Sequence, residues 1–127
     1  MKKSISIWSF RPEWDWETAF CLARQEGFEG IEIDLSADGP LPVEFTGEQI
    51  AAIRELATRH GLTLSGLATG LYWGANGASD DPAERERAAT ILRRQVEAAA
   101  ALGIDAVLVI PGSVGADFIP NFRTVRY

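Results

Sequence analysis

The chain has 127 residues, 46% of them apolar, and a formal net charge of −6. That is enough apolar side chain for one folded domain with a modest core rather than a disordered tract, and the acidic balance argues against a nucleic-acid backbone or an anionic membrane as partner. Cys21 is the only cysteine, so no disulfide forms within the chain and a reducing, cytoplasmic setting is expected.

Two lysines open the chain, but only a short alternating run follows, not the continuous apolar core of a signal peptide. No stretch reaches the length of a membrane span. Residues 3–8 read as a first strand, with Ile5 and Ile7 on one side and Ser4, Ser6 and Trp8 on the other. A loop over 9–14 leads to Asp15, the expected N-cap of a helix that buries Trp16, Ala19, Phe20 and Ala23. Gly27 closes that helix.

The second strand is the most informative stretch. Ile31, Ile33 and Leu35 form one aliphatic face, while Gly30, Glu32 and Asp34 form the other. The first face suits helices, and the second suits the polar-tolerant interior of a barrel. A turn-rich loop over 36–42 follows. Thr46 and Gln49 spell a capping box, with Phe45 placed to staple onto Ile50. Ile50, Ile53, Leu56 and Ala57 make the buried stripe, and His60 and Gly61 end the helix.

The third strand is expected over Thr63–Ala68, and its facing is ambiguous. Offset from the capping glycine turns Leu64, Gly66 and Ala68 inward; polarity alone turns Thr63 and Ser65 inward. The former is preferred. The loop over 69–80 is long, with three glycines and the adjacent Tyr72 and Trp73, which makes it the local candidate for a functional loop. Asp81, Pro82 and Glu84 mark the clearest helix start in the chain. That helix runs to about Leu102 with Ile91, Leu92, Val96 and Ala99 buried. Gly103 ends it, and Ala106–Ile110 reads as a fourth, doubly covered parallel strand. Pro111 and Gly112 break it, and the tail to Tyr127 shows no helical pattern. The count is β-α-β-α-β-α-β in one domain over 1–127.

Chemistry-bearing residues are few. Glu32 and Asp34 share a strand face and suit sugar hydroxyls or the support of a metal ligand. Asp34, nearer the loop, reads rather as a turn cap. Trp8 faces inward at the end of the first strand, and Tyr72 and Trp73 follow the carboxyl end of the third. Ligands bind at that end in barrel architectures, and indole and phenol faces suit the apolar faces of sugars. His60 reads as a dipole partner at a helix end, and Cys21 as a small buried hydrophobe. No serine or cysteine has a histidine base within view, so a triad is not expected. The Pro111-Gly112 turn lacks the ending of a phosphate loop, and no glycine fingerprint follows the first strand.

Gly27-Phe-Glu-Gly-Ile-Glu-Ile33, the Gly103–Gly112 stretch and Leu71-Tyr-Trp73 resemble the amino-terminal half of the xylose-isomerase-like TIM-barrel family. The resemblance implies a partial (β/α)8 barrel, a half-barrel of about four parallel strands and three helices. It implies a sugar or sugar-phosphate isomerase or epimerase. Members hold a divalent metal (manganese, magnesium, cobalt or zinc) and use two glutamates on strands five and eight. Those strands are absent here, so no catalytic residue, metal ligand or cofactor is expected in this chain, which should be inactive alone. Trp8, Glu32, Tyr72, Trp73 and Pro111 are carried over as a substrate-side wall. Pairing with a missing carboxy-terminal half, or self-association, is expected. The alternatives are a non-catalytic scaffold that pairs with a second half-barrel, and a small doubly wound α/β binding domain.

Overall fold

Each helix begins on a side chain that satisfies an otherwise orphaned backbone N–H. In the computed structural model, which describes residues 2–112, Asp15 accepts from the Thr18 amide (2.8 Å) at the start of α1 (Trp16–Gln25). Thr46 and Gln49 close a reciprocal capping box at α2 (Gly47–His60). Asp81 accepts from the Ala83 amide (2.9 Å) ahead of α3 (Pro82–Leu102). Glu84 does not complete a box there. Its carboxylate reaches back to the Asn76 amide (3.2 Å) and ties the preceding loop to the helix instead. The chain turns out of the helices at Gly27, Gly61 and Gly103, all at positive φ, where a Cβ would be strained.

The strands β1 (Ser4–Ser6), β2 (Gly30–Asp34) and β3 (Thr63–Ala68) are parallel and lie in chain order, β1-β2-β3. Ile31, Ile33, Leu35 and Leu67 join Trp16, Phe20, Ile50, Ile53, Ala98, Ala99 and Leu102 in one core cluster. All three helices therefore cover the same face of the sheet. An unreversed strand order with helices on one face is a segment of barrel wall, and it corrects the doubly wound alternative.

Three sequence expectations change. The first strand ends at Ser6, not at residue 8, because the Ser6 hydroxyl accepts the Trp8 amide (3.4 Å) and winds Ile7–Ser9 into a 3-10 turn. The fourth strand is reduced to one parallel bridge, Leu67 with Val107. Extending that ladder would have the Thr69 amide donate to the Leu108 carbonyl. The Gln95 amide holds that carbonyl instead (3.0 Å). The described residues thus form three strands and three helices, not four strands. Third, α3 is rotated from its expected setting. Leu92 and Val96 lie on the exposed side, Val96 at 50%, and Ala88, Gln95, Ala98, Ala99 and Leu102 are buried. The small side chains of Ala98 and Ala99 let the helix approach the sheet, and the Gln95 amide donates to the carbonyls of Leu67 in β3 and Leu108 after it. The expectation for the tail to Tyr127 lies outside the described residues. Among the described residues no helix is long and apolar enough to cross a membrane.

β3 resolves its own ambiguity through a bulge. Gly30 pairs with Thr63 and Ile31 with Leu64, but Glu32 pairs with Gly66, so Ser65 is the extra residue. Leu64 and Leu67 both reach the helix side. Thr63, Ser65, Gly66 and Ala68 all face the interior, and each of the two competing readings was right for part of the strand.

Candidate functional site

The interior face of the sheet is built in layers. At the amino ends, Ser4 and Ser65 hydrogen-bond through their hydroxyls across Gly30. A Cβ on Gly30 would stand 3.2 Å from Ser4 Oγ and 3.2 Å from the Thr63 carbonyl, so this floor is closed. One layer up, Ser6 pairs with Glu32, and the Glu32 side chain lies over Gly66, whose missing Cβ leaves it room. The top layer, at the carboxyl ends, holds Asp34 opposite Ala68.

Asp34 shares one cleft with two indoles. Trp8 and Trp73, 52% and 42% exposed, line with Asp34, Ser36 and Gly70 a cleft of about 340 Å3. Local hydrogen bonds fix its walls. The buried Thr69 hydroxyl donates to the Leu35 carbonyl (2.7 Å) and accepts from the Leu71 amide (3.2 Å). The Trp73 amide then bonds the Gly70 carbonyl (3.2 Å), which sets the 3-10 turn Leu71–Gly74. On the other side Ser36 Oγ accepts from the Gly39 amide (3.1 Å) and ties down the loop after β2. Burial pushes the Asp34 carboxyl above its ordinary range, and hydrogen bonding from Trp8 and from its own backbone offsets part of that push.

On the far side of Trp8 and Asp34 lies a second cleft, of about 380 Å3, lined also by Phe10, Arg11, Trp14 and Trp16.

The expected site residues divide. Trp8 and Trp73 come together at the carboxyl ends of the strands. Glu32 is on the interior face as its parity requires, one layer below, and lines neither cleft. Tyr72 corrects the expectation: it is buried with Ala75 and Ala88, and its phenol donates to Gln95 Oε1 (2.8 Å). Adjacent residues on a 3-10 turn point in different directions, so only one of this aromatic pair reaches the cleft. Pro111 is likewise outside both clefts. Its backbone packs on the loop at Gly77, where a Cβ would overlap the Pro111 carbonyl. Sequence reasoning weighed Asp34 for sugar hydroxyls but preferred it as a turn cap, whereas it lines both clefts. The signal was present, since it shares parity with Glu32 and stands at the carboxyl end of the strand.

His60 is at the opposite end of the wall. Its Nε2 lies 2.7 Å from Glu17 Oε1, and the other oxygen of that carboxylate, Oε2, pairs with Arg59, so the ring helps clamp α2 to α1. Among the described residues no three histidine, cysteine, aspartate or glutamate side chains gather as a metal shell.

A one-sided run of parallel βα units with its clefts at the strand carboxyl ends defines part of a TIM-barrel wall. The family model for the xylose isomerase-like TIM barrel matches residues 20–125, and the chain belongs to that family. No curated protein sequence matches it. Among solved structures, a 3-keto-D-glucoside 4-epimerase from E. coli superposes with a TM-score of 0.67 at 21% identity, over 100% of this chain and 44% of its own. A D-psicose 3-epimerase determined in the presence of D-fructose gives 0.64 at 23%, over 84% of this chain and 36% of its own. An AP endonuclease of family 2 from Brucella melitensis gives 0.60 at 20%, over 88% and 42%. At these identities the likeness is one of fold, a TIM barrel, and the chain spans less than half the length of each of these structures.

Proposed function

We propose that this chain is the substrate-binding part of a sugar isomerase or epimerase. The observation that carries the reading is one cleft lined by Asp34 and the half-exposed indoles of Trp8 and Trp73 at the carboxyl ends of the strands. The indoles stack on the C–H faces of a ketose ring. The Asp34 carboxylate accepts hydrogen bonds from adjacent hydroxyls. Moving a proton beside a carbonyl needs a base on one face of the carbon and an acid on the other. This part of the wall offers orientation and water exclusion. The acid–base pair, and any metal of the whole protein, come from other strands of the barrel, and the chain alone does not turn over sugar. The substrate is a ketose sugar or sugar phosphate.

Tryptophan fluorescence during titration with D-fructose and D-psicose tests the reading. Saturable quenching is expected, lost in Trp8→Ala and weakened in Asp34→Asn. A chain that leaves both sugars and their phosphates unbound rules it out. An epimerisation assay with added manganese should stay at background.

A second reading, an interaction module that pairs with another half-barrel, is favoured by the exposed Leu92, Val96, Val107 and Leu108 along one margin of the wall. Each apolar side chain left in water forgoes about 1.5–3 kcal/mol of burial. Light scattering at micromolar concentration reads it, and a strict monomer removes it.

A further inference from the structure

The cleft beyond Trp8 is not accounted for by binding one sugar ring. It shares the Trp8–Asp34 wall with the first cleft, so the two are neighbours across one indole and one carboxyl. Each lies near the small end of the ~300–1,000 Å3 range of small-molecule sites. A ligand of one ring fills one cleft. A ligand of two joined rings spans the shared wall.

The second cleft is also held in shape. The Trp14 amide bonds the Arg11 carbonyl (3.0 Å) with Pro12 between them, a β-turn whose first corner is preset by proline. This turn presents Arg11 and Trp14 together, the guanidinium 5.5 Å from the indole centroid. Trp14 is 39% exposed and takes no part in the main core, whereas Trp16, two residues on, does. The acidic partner of Arg11 is Glu13, at 3.9 Å in a solvent-exposed pair of little energetic weight. The guanidinium donors therefore remain open to hydroxyl oxygens. An indole platform, a fan of donors above it and a carboxyl at the shared wall are the complement of a second pyranose or furanose ring.

Resting on the sugar reading above, we propose that the Phe10–Arg11–Trp14 cleft is a second subsite, and that the ligand is a disaccharide-sized glycoside whose glycosyl group it receives. The test compares D-fructose with lactulose, a galactosyl-fructose, by calorimetric titration of the purified chain and of Trp14→Ala and Arg11→Gln. Lactulose should bind about tenfold more tightly than D-fructose. Trp14→Ala should erase that advantage and leave D-fructose binding unchanged, and Arg11→Gln should reduce it in part. Circular dichroism checks that each variant is folded. If Trp14→Ala is not, Trp14→Leu, which keeps apolar bulk without an indole, takes its place with the same expectation. Equal affinities for the two sugars, or variants that weaken both alike, overturn the second subsite while leaving the sugar reading standing. Failure to bind either sugar overturns both.

Discussion

The Tyr72 phenol donates to Oε1 of Gln95 across 2.8 Å, and the Gln95 amide in turn donates to the carbonyls of Leu67 (2.9 Å) and Leu108 (3.0 Å). Gln95 is fully buried. One side chain from α3 thus holds the aromatic turn, the end of β3 and the last described segment in one network.

Gln95→Leu keeps the apolar bulk and orphans the Tyr72 hydroxyl and the share of two carbonyls that Gln95 satisfies. A buried polar group without a partner costs about 1–3 kcal/mol, so the loss should be on the order of 3 kcal/mol in urea denaturation. Tyr72→Phe removes one bond and should cost about 1 kcal/mol. The double variant should fall short of the sum, because both act on one network. Additive losses would show that the two residues are not coupled.

Gly30 and Gly66 occupy the same interior face and should respond differently to alanine. At Gly30 a Cβ meets a backbone carbonyl and Ser4 Oγ, both at 3.2 Å. Overpacking against groups that cannot yield costs about 1–3 kcal/mol. At Gly66 it meets the Glu32 side chain, at 3.3 and 3.4 Å, which can swing aside. Gly66→Ala should stay within about 0.5 kcal/mol of the parent, helped by the lower entropy of its unfolded chain. Paired denaturation curves decide it, and a larger loss at Gly66 would mean that Glu32 is fixed.

Asp34→Asn should make the fold more resistant as pH rises. Burial raises the folded-state pKa of Asp34 above its unfolded value, so between the two values the folded chain holds the proton that the unfolded chain gives up. The contribution is complete below the unfolded pKa and is lost as pH rises through the folded one. The melting temperature of Asp34→Asn relative to the parent should therefore increase from acid to neutral pH. A constant offset would show that Asp34 titrates normally.

Trp8 and Phe20 are both large aromatics, but one is half-exposed and the other fully buried. Phe20→Ala should cost about 3–5 kcal/mol through the cavity it leaves. Trp8→Ala should cost about 1 kcal/mol or less while abolishing the sugar-dependent fluorescence change. Equal losses of stability would mark Trp8 as a packing residue.

Much of this was readable in the chain because local chemistry wrote it. Asp15, Thr46 with Gln49, and Asp81 with Pro82 each name a helix start without help from elsewhere in the fold. The parity of Ile31, Glu32, Ile33 and Asp34 fixed which face of β2 meets helices. Other features are decided by partners distant in sequence. Leu92 and Val96 look like core by spacing, yet the helix turns Gln95 inward, where its amide donates to the Leu67 and Leu108 carbonyls. Tyr72 and Trp73 are equivalent in sequence, and the distant partners Ala88 and Gln95 are where the buried one docks. Ala106–Ile110 has the composition of a strand, but a strand also needs a ladder, and the Gln95 amide takes the next rung.

The extra residue in β3 also makes the wall tolerant of length change. With Ser65 inserted, the run from Thr63 to Leu64 and the run from Gly66 to Ala68 keep separate phases against β2. Removing that one residue would leave Leu64 and Leu67 on alternate positions of an ordinary ladder, both still among the helices. The lower run could thus shorten by a residue without turning its aliphatic side chains toward the interior face, so the floor and the rim of the barrel can drift apart in sequence while the hydrophobic layer between sheet and helices stays intact.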